Sequence, residues 1–311
     1  MKIVTLTLNP AFDIHCSADN FRAGYENFAE ITSVEAGGKG VNLSRALVSG
    51  GVENIAVVLV GRDNGEEFLK SLIADGLTLS PVWIDGRIRE NITIHEDGKK
   101  ETRLSFSGFT CNAHTLDSVI SSVGDINDNT VITFTGSIPH GIGFDKVIAM
   151  LDAFKGQGAK VVVDSRSVPL EAILALKPWL IKPNKDEAEN YTGKKINSVS
   201  DAAQIAKTLY DGGISNVMIS LGELGAVLAF DDGVLYAKTP LVNAISTIGA
   251  GDSSIAGFIA AAYRGATAKE CLKTATAYGT SACLRGGTLP PLAEDVADIK
   301  KQVEIKMLDV I

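Results

Sequence analysis

The sequence predicts a three-layer α/β/α protein: a mostly parallel central sheet with helices on both faces, plus a small β-sheet lid. Three observations predict it. From about residue 114 onward, short apolar runs of strand type alternate with helical runs, the pattern of a parallel sheet covered on both faces. The front half carries the same signs near Ile3 to Leu8 and Ile55 to Val60. Two regions, about 12–35 and about 87–107, break that rhythm with extended or alternating segments.

Met1 to Leu6 reads as a first strand rather than a signal peptide, because no cleavage pattern follows it. Val131 to Phe134 predicts a strand, followed by a turn and a helix through Lys155. Val161 to Val163 is the next strand, with a helix near Leu170 to Leu176 and a strand at Trp179 to Ile181. Helices follow from about Asp186 and near Asp201 to Tyr210, then a strand at Val217 to Ser220. In the second irregular region Ile92 and Ile94 face Leu104 and Phe106 as a hairpin around the turn Glu96 to Lys99. Small antiparallel pieces inserted early suggest a lid over the carboxyl ends of the strands, where open α/β sheets bind ligands. A half-exposed flat sheet also suits a dimer surface.

The 311 residues are 45% hydrophobic and 21% charged, ordinary for a globular protein. The net charge of −8 disfavours a nucleic-acid role. No apolar run approaches the ~20 residues of a membrane span, so a cytoplasmic protein is expected. Cys16, Cys111, Cys271 and Cys283 are scattered without a CxxC pair, and the four histidines lack ligand spacing. Neither a zinc site nor a disulfide framework is indicated.

The most informative stretch is Ser246 to Ser254, which joins a β-branched run (Val242 to Ile248) to a helical run (Ile255 to Tyr263). Gly249 and Gly251, with only Ala250 between them, let the backbone turn tightly and bring N–H groups to a ligand. The helix that follows adds unpaired N–H groups and a positive dipole end, which makes an anion site suited to phosphate. An aspartate there repels the anion that the turn attracts. It makes sense if Asp252 accepts a proton while a phosphoryl group moves. The plainer alternative is a helix N-cap.

Glu35 to Asn42 is a second glycine-rich loop, followed by a helix (Leu43 to Leu47). Gly-Lys is followed here by Gly rather than Ser or Thr, so it is not a Walker A loop, and no GxGxxG follows a strand. Lys39 suits a phosphate, and Asn42 can both donate and accept hydrogen bonds. Leu8 to Asp13 ends the first strand, and an acid at that carboxyl end can accept from two sugar hydroxyls, or cap a turn. Asn184 and Glu187, three apart after a strand, suit either a capping box or water-mediated magnesium beside ATP. Ser220 to Ala226, with Gly222 and Gly225, is a further glycine turn suited to a nucleotide. Arg89 and Arg103 lie on the hairpin and are candidate partners for a substrate phosphate.

In this order, Asp13, Ala36 to Asn42, Lys182-Pro183-Asn184-x-x-Glu187 and Ser246 to Asp252 resemble the ribokinase/PfkB family of carbohydrate kinases. The likeness runs from the first strand nearly to the end of the chain. Thr7 to Asp13, Arg89-x-Asn91 and Thr135 to Pro139 are most similar to its phosphosugar branch, which acts on fructose 1-phosphate, tagatose 6-phosphate or fructose 6-phosphate. Asp164-Ser165-Arg166 and Pro178 to Asn184 look most like the fructose 1-phosphate kinases. The resemblance implies a ribokinase-like fold and a single kinase domain over 1–311, with the lid inserted in the α/β core.

It implies roles by position. Asp252 would be the base, with Gly249, Ala250 and Gly251 as the anion hole. Asp13, Gly37, Gly38, Lys39 and Asn42 would hold the sugar. Arg89 and Ser137 would bind its phosphate, Arg89 being a candidate for supply across a dimer. Lys182, Asn184, Glu187, Ser220, Gly222 and Gly225 would serve ATP, with Mg2+ held at Asn184 and Glu187 through water. A K+ ion near the anion hole is also implied, with Asn243 to Thr247 and Arg285 to Gly287 as candidates. A homodimer through the lid is expected. The chain departs from the branch at Arg103, Leu104 and Ser105, where an acidic, an apolar and an Asn residue are usual. Arg103 either strengthens phosphate binding or faces solvent. The expected reaction is ATP-dependent phosphorylation of fructose 1-phosphate at its 6-hydroxyl. Tagatose 6-phosphate at its 1-hydroxyl is the alternative within the class. A non-catalytic sugar-phosphate sensor and a kinase of an unphosphorylated sugar or nucleoside are the others.

Overall fold

The computed structural model describes residues 1–96, 101–112 and 114–310. The front half runs β1 (Lys2–Thr7), β2 (Ala11–Ser17), β3 (Glu30–Gly37), α1 (Lys39–Ser49), β4 (Ile55–Gly61), α2 (Gly65–Ala74), β5 (Thr78–Ile84), β6 (Arg89–His95) and β7 (Thr102–Ser105). Next come α3 (His114–Val123), β8 (Thr130–Thr135), α4 (Phe144–Gly156), β9 (Lys160–Asp164), α5 (Leu170–Leu176), β10 (Leu180–Ile181), α6 (Lys185–Thr192) and α7 (Val199–Asp211). The chain ends with β11 (Val217–Ser220), β12 (Ala226–Phe230), β13 (Gly233–Lys238), α8 (Ala250–Tyr263), α9 (Ala268–Ala282), α10 (Ala293–Gln302) and β14 (Glu304–Leu308).

Among the described residues, ten strands form the main sheet in the order β14-β13-β12-β11-β10-β9-β8-β1-β4-β5. Pairing is parallel from β11 through to β5. Neighbouring residues on one strand face opposite layers. Ile3, Val131 and Val162 pack with Leu43 and Leu47 of α1, Phe258 and Ile259 of α8, Leu272 of α9 and Ile299 of α10. Val4, Ile132 and Val161 pack with Phe68 and Leu72 of α2, Phe154 of α4 and Ile205 and Leu209 of α7. That is the predicted mostly parallel sheet between two helical layers. Strand β1 has β8 on one side and β4 on the other, so the strand order reverses beside β1. A crevice opens at the carboxyl ends at such a point.

The structure corrects several expectations. The β12–β13 hairpin and β14 add an antiparallel edge that the sequence reading lacks. Val242 to Ile248 is irregular rather than extended strand, because it finds no ladder partner, and Ile245 stays exposed. Helix α8 starts at Ala250, not Ile255, and α1 starts at Lys39, not Leu43. Both starts are hidden in the sequence, because a glycine precedes each and the first turns are polar or small.

The second sheet has the order β3-β2-β6-β7. β2 pairs antiparallel with β3, and β6 with β7, but β2 pairs parallel with β6, so these pieces are not purely antiparallel. Ile92 faces Leu104, whereas Ile94 faces Thr102 and Phe106 lies beyond β7. The predicted turn at Glu96 to Lys99 lies outside the described residues beyond Glu96. Alternation divides this sheet. Asp13, Asn91 and Arg103 lie on one face, and a row Val34–Ile14–Ile92–Leu104 crosses the other.

Helices α8 and α9 approach closely at Gly257, where a Cβ would lie 2.8 Å from both the Thr274 carbonyl oxygen and Tyr278 Cγ. Gly257→Ala should therefore destabilise the fold. Overpacking costs about 1–3 kcal/mol, against a helix-propensity gain of about 1 kcal/mol. A lower Tm and urea midpoint are the expected outcome, and an unchanged or higher midpoint would refute the close-packing account.

Candidate active site

Two helix N-termini converge on the crevice. Gly249 caps α8 with φ 77°, a left-handed conformation that glycine adopts without steric cost. Gly38 caps α1 with φ 133°. Neither N-cap receives a side-chain hydrogen bond, so these helix ends keep backbone donors for a ligand. Among the described residues the Gly249 and Gly251 amides have no protein acceptor, whereas Ala250 N–H reaches Thr247 O at 3.4 Å. The free donors are thus Gly249 and Gly251, and Ala250 contributes less than the sequence suggested. Asp252 is the third residue of α8, not its N-cap, so the plainer reading of it fails.

Asp252 is buried and accepts from Asn42 Nδ2 at 3.2 Å. Burial pushes its carboxyl from the usual 3.8 up to about 6, against the pull of Lys39. Lys39 Nζ bonds Asp164 Oδ2 at 2.8 Å, and Lys182 Nζ lies 3.9 Å from Asp164 Oδ1. Burial pulls Lys39 down, but Asp164 and Asp252 together raise it above its ordinary value. Burial would raise Asp164, and Lys182 and Lys39 outweigh it, so the carboxyl sits below its usual range. The Lys182 ammonium also lies against Gly251, 3.1 Å from where a Cβ would stand. A buried cation thus sits beneath the uncapped amides.

At the lid end, Asp13 Oδ1 accepts from Asn91 Nδ2 at 2.9 Å and Arg103 Nη2 at 2.8 Å. Arg103 is therefore drawn to Asp13 while its side chain stays exposed. Arg89 donates to the Asn9 and Pro10 carbonyls, each at 3.3 Å, and Asn9 Nδ2 donates to Ser137 Oγ at 2.9 Å. The loop after β1 thereby gathers Arg89 and Ser137. At the other end Asn184 and Glu187 form a reciprocal capping box on α6. Glu187 Oε2 accepts from Asn184 N at 3.0 Å, and Oε1 accepts from Arg166 Nε at 2.6 Å. Ser220, Gly222 and Gly225 line the turn between β11 and β12.

One cleft of 1140 Å³ unites Asp13, Gly38, Lys39, Asn42, Arg89, Arg103 and Ser137 with Gly249 to Asp252. Lys182, Asn184, Glu187, Ser220, Gly222 and Gly225 line it too. Gly37 does not, because it ends β3 behind Gly38. The sequence reading assigned no role to Asp164 or Arg166 and did not single out Thr276, Gly279, Thr280 and Cys283 of the α9 region, which also line the cleft. For Asp164 the signal was a strand ending in an acid at the carboxyl edge, and for α9 a helix of small and hydroxyl residues. The hydroxyls of Thr7, Thr135 and Thr276 are buried at this cleft without a partner among the described residues. Such orphaned donors fit a polyhydroxyl or phosphate ligand. The loops Asn243 to Thr247 and Arg285 to Gly287 do meet, through Ser246 Oγ and Gly287 O at 3.4 Å.

Residues 11–295 match the pfkB family of carbohydrate kinases. The chain belongs to that family. The 1-phosphofructokinase of Haemophilus influenzae is 32% identical over 311 residues, 99% of each chain. That of Escherichia coli K12 is 30% identical over 282 residues, 90% of each. Phosphofructokinase-2 from Escherichia coli, solved with substrates and products, superposes with TM-score 0.91 at 25% identity, over 97% of this chain and 99% of that one. The same protein is known in complex with potassium and in a tetrameric inhibited form. In this pfkB-family chain no helix of the described residues is long and apolar enough to cross a membrane.

The raised Asp252 carboxyl makes a stability prediction. Folded protein holds that proton up to about pH 6, while the unfolded chain releases it near 3.8. Stability is therefore lost as pH rises through that window. Asp252→Asn, which stays neutral, should stabilise ligand-free protein at pH 8 by about 3 kcal/mol, a gain that vanishes below pH 4. Denaturant melts at the two pH values check this, and a variant less stable than the parent at pH 8 would refute it.

Proposed function

We propose that the chain is a 1-phosphofructokinase, transferring the γ-phosphoryl of ATP to the 6-hydroxyl of fructose 1-phosphate. The observation that carries this reading is Asp252. It is a buried carboxylate with its pKa lifted to about 6, set in the first turn of a helix whose end keeps free amides. A group titrating there can take a hydroxyl proton near neutral pH. Gly249, Gly251 and Lys182 stabilise charge on the phosphoryl as it moves. Asp13, Asn42 and Lys39 orient the sugar, and Arg89, Arg103 and Ser137 hold its phosphate. Relatives named 1-phosphofructokinase, near 30% identity over most or all of the chain, support this substrate over tagatose 6-phosphate.

ATP extends from the α8 N-terminus towards Ser220, Gly222 and Gly225. The donor set also fits magnesium: hard carboxylate oxygen from Glu187 beside amide oxygen from Asn184, at a site where phosphates complete the shell. Among the described residues no three acidic, His or Cys side chains form a dedicated metal cluster, which suits an ion held chiefly by nucleotide and water. Magnesium supplies charge neutralisation on the phosphates. A K+ ion between Asn243 to Thr247 and Arg285 to Gly287 belongs to the same proposal. We read residues 1–311 as one kinase domain and the lid as a homodimer surface, because Val34 and Leu104 leave its apolar row exposed.

The test is ADP release with Mg-ATP and, in turn, fructose 1-phosphate, tagatose 6-phosphate, fructose 6-phosphate and free fructose. We expect kcat/KM for fructose 1-phosphate to be at least about tenfold higher than for the others, about 1.4 kcal/mol of transition-state preference. A preference for tagatose 6-phosphate would overturn the substrate, and no turnover would favour the sensor. Asp252→Asn should lower kcat by about 10²- to 10⁴-fold with ATP affinity nearly unchanged. Near-normal turnover would remove the base assignment. Light scattering at assay concentration should give a dimer, and a monomer would refute the lid interface.

A further inference from the structure

A hydrogen-bond chain leads from Asp252 away from the cleft. Asn42 Nδ2 donates to Asp252 Oδ2 at 3.2 Å. Arg45 Nη1 in turn donates to Asn42 Oδ1 at 3.5 Å. Arg45 is held by Asp75, whose Oδ2 accepts from Nε at 2.8 Å and lies 2.6 Å from Nη2. Asn42 and Arg45 are three apart on α1 and share one face. Arg45 is buried, whereas Asp75 is exposed at the C-cap of α2. The α2 dipole disfavours a carboxylate at that end, so the Arg45 pair is what holds it there.

The chemistry fixes the order of donors. Arginine only donates and an ionised aspartate only accepts, so an amide between them has one orientation that satisfies both. We propose that Arg45, anchored by Asp75, is a positioning residue that locks the Asn42 amide with its NH2 towards the catalytic carboxylate. This inference rests on the reading of Asp252 as the base. An unlocked Asn42 can turn its oxygen to Asp252, where it accepts from the protonated acid and stabilises the inactive form. The lock holds Asp252 ready to ionise and leaves the second Nδ2 hydrogen for a sugar hydroxyl. The charged groups facing Asp252 are Lys39 from α1, Asp164 at the end of β9 and Lys182 after β10, and no test variant alters them.

The test is kcat against pH, from 5 to 8.5, at saturating Mg-ATP and fructose 1-phosphate. Arg45→Lys keeps the charge but cannot span Asp75 and Asn42 together. Asp75→Asn removes a negative charge and loosens Arg45. Loss of the lock moves the acid limb upward in both variants, by about half a pH unit or more. At pH 6 their kcat then falls about threefold further than at pH 8. Charge alone predicts no shift for Arg45→Lys and a downward shift for Asp75→Asn. Purely structural damage lowers the rate at every pH without moving the limb. A limb that stays put or moves down in Asp75→Asn overturns the proposal, and that variant decides the matter should Arg45→Lys fold poorly. Asp252→Asn, run alongside, tests the base reading separately. A readout without turnover also exists. The stability gain from Asp252→Asn at pH 8 should be larger in the Arg45→Lys background, and an equal gain counts against the lock.

Discussion

Two carboxylates and a lysine buried at the carboxyl edge of the sheet, with a second lysine reaching in from the cleft, set the terms for everything around them. Lys39, Asp164, Lys182 and Asp252 come from α1, β9, the turn after β10 and α8. Burying any one of them alone would cost several kcal/mol. Together Lys39 and Asp164 form a 2.8 Å pair, and Lys182 balances it from 3.9 Å. Among the described residues Asp252 has an amide donor and no ion pair, and burial drives it towards the neutral form.

The lid solves a different problem with the same alternation. Its cleft face carries Asp13, Asn91 and Arg103 tied at one carboxylate oxygen. Its other face carries the row from Val34 to Leu104, only part of which packs against the core. Parallel pairing of β2 with β6 sets Asp13 opposite Asn91, so one register fixes both the polar cluster and the apolar row. A one-residue slip would exchange the two faces and destroy both at once.

The sequence carried the main layers because short apolar strand runs alternate with helical runs and each is bounded there. It carried the separate loops because glycines, Lys182 to Asn184 and Asp252 are local patterns. What it hid were contacts across chain distance. Asp164 reads as the last residue of a strand until Lys39 and Lys182 are seen beside it. Arg103 reads as a cation for phosphate or for solvent, and only the pairing of β7 shows it on Asp13. Val242 to Ile248 has the composition of a strand, but among the described residues it joins no ladder, and the Ile245 and Ser246 amides reach the Cys283 carbonyl instead. Helix starts were misread by four or five residues because glycine caps and polar first turns lack apolar periodicity.

Asn184 and Glu187 offered a capping box or a nucleotide site, and the structure shows that a formed box does not remove them from the cleft. The box is fully formed on α6, yet both residues line the cleft. A helix N-terminus wants an acid in its first turn for its own stability. A buried acid there, one oxygen fixed by the backbone and the other on the exposed Arg166, is also an oxygen donor held in a single rotamer. The cap fixes the carboxylate from the backbone side, and Arg166 pairs with it from the surface. The bonds that cap the helix thus also fix the carboxylate at the cleft wall.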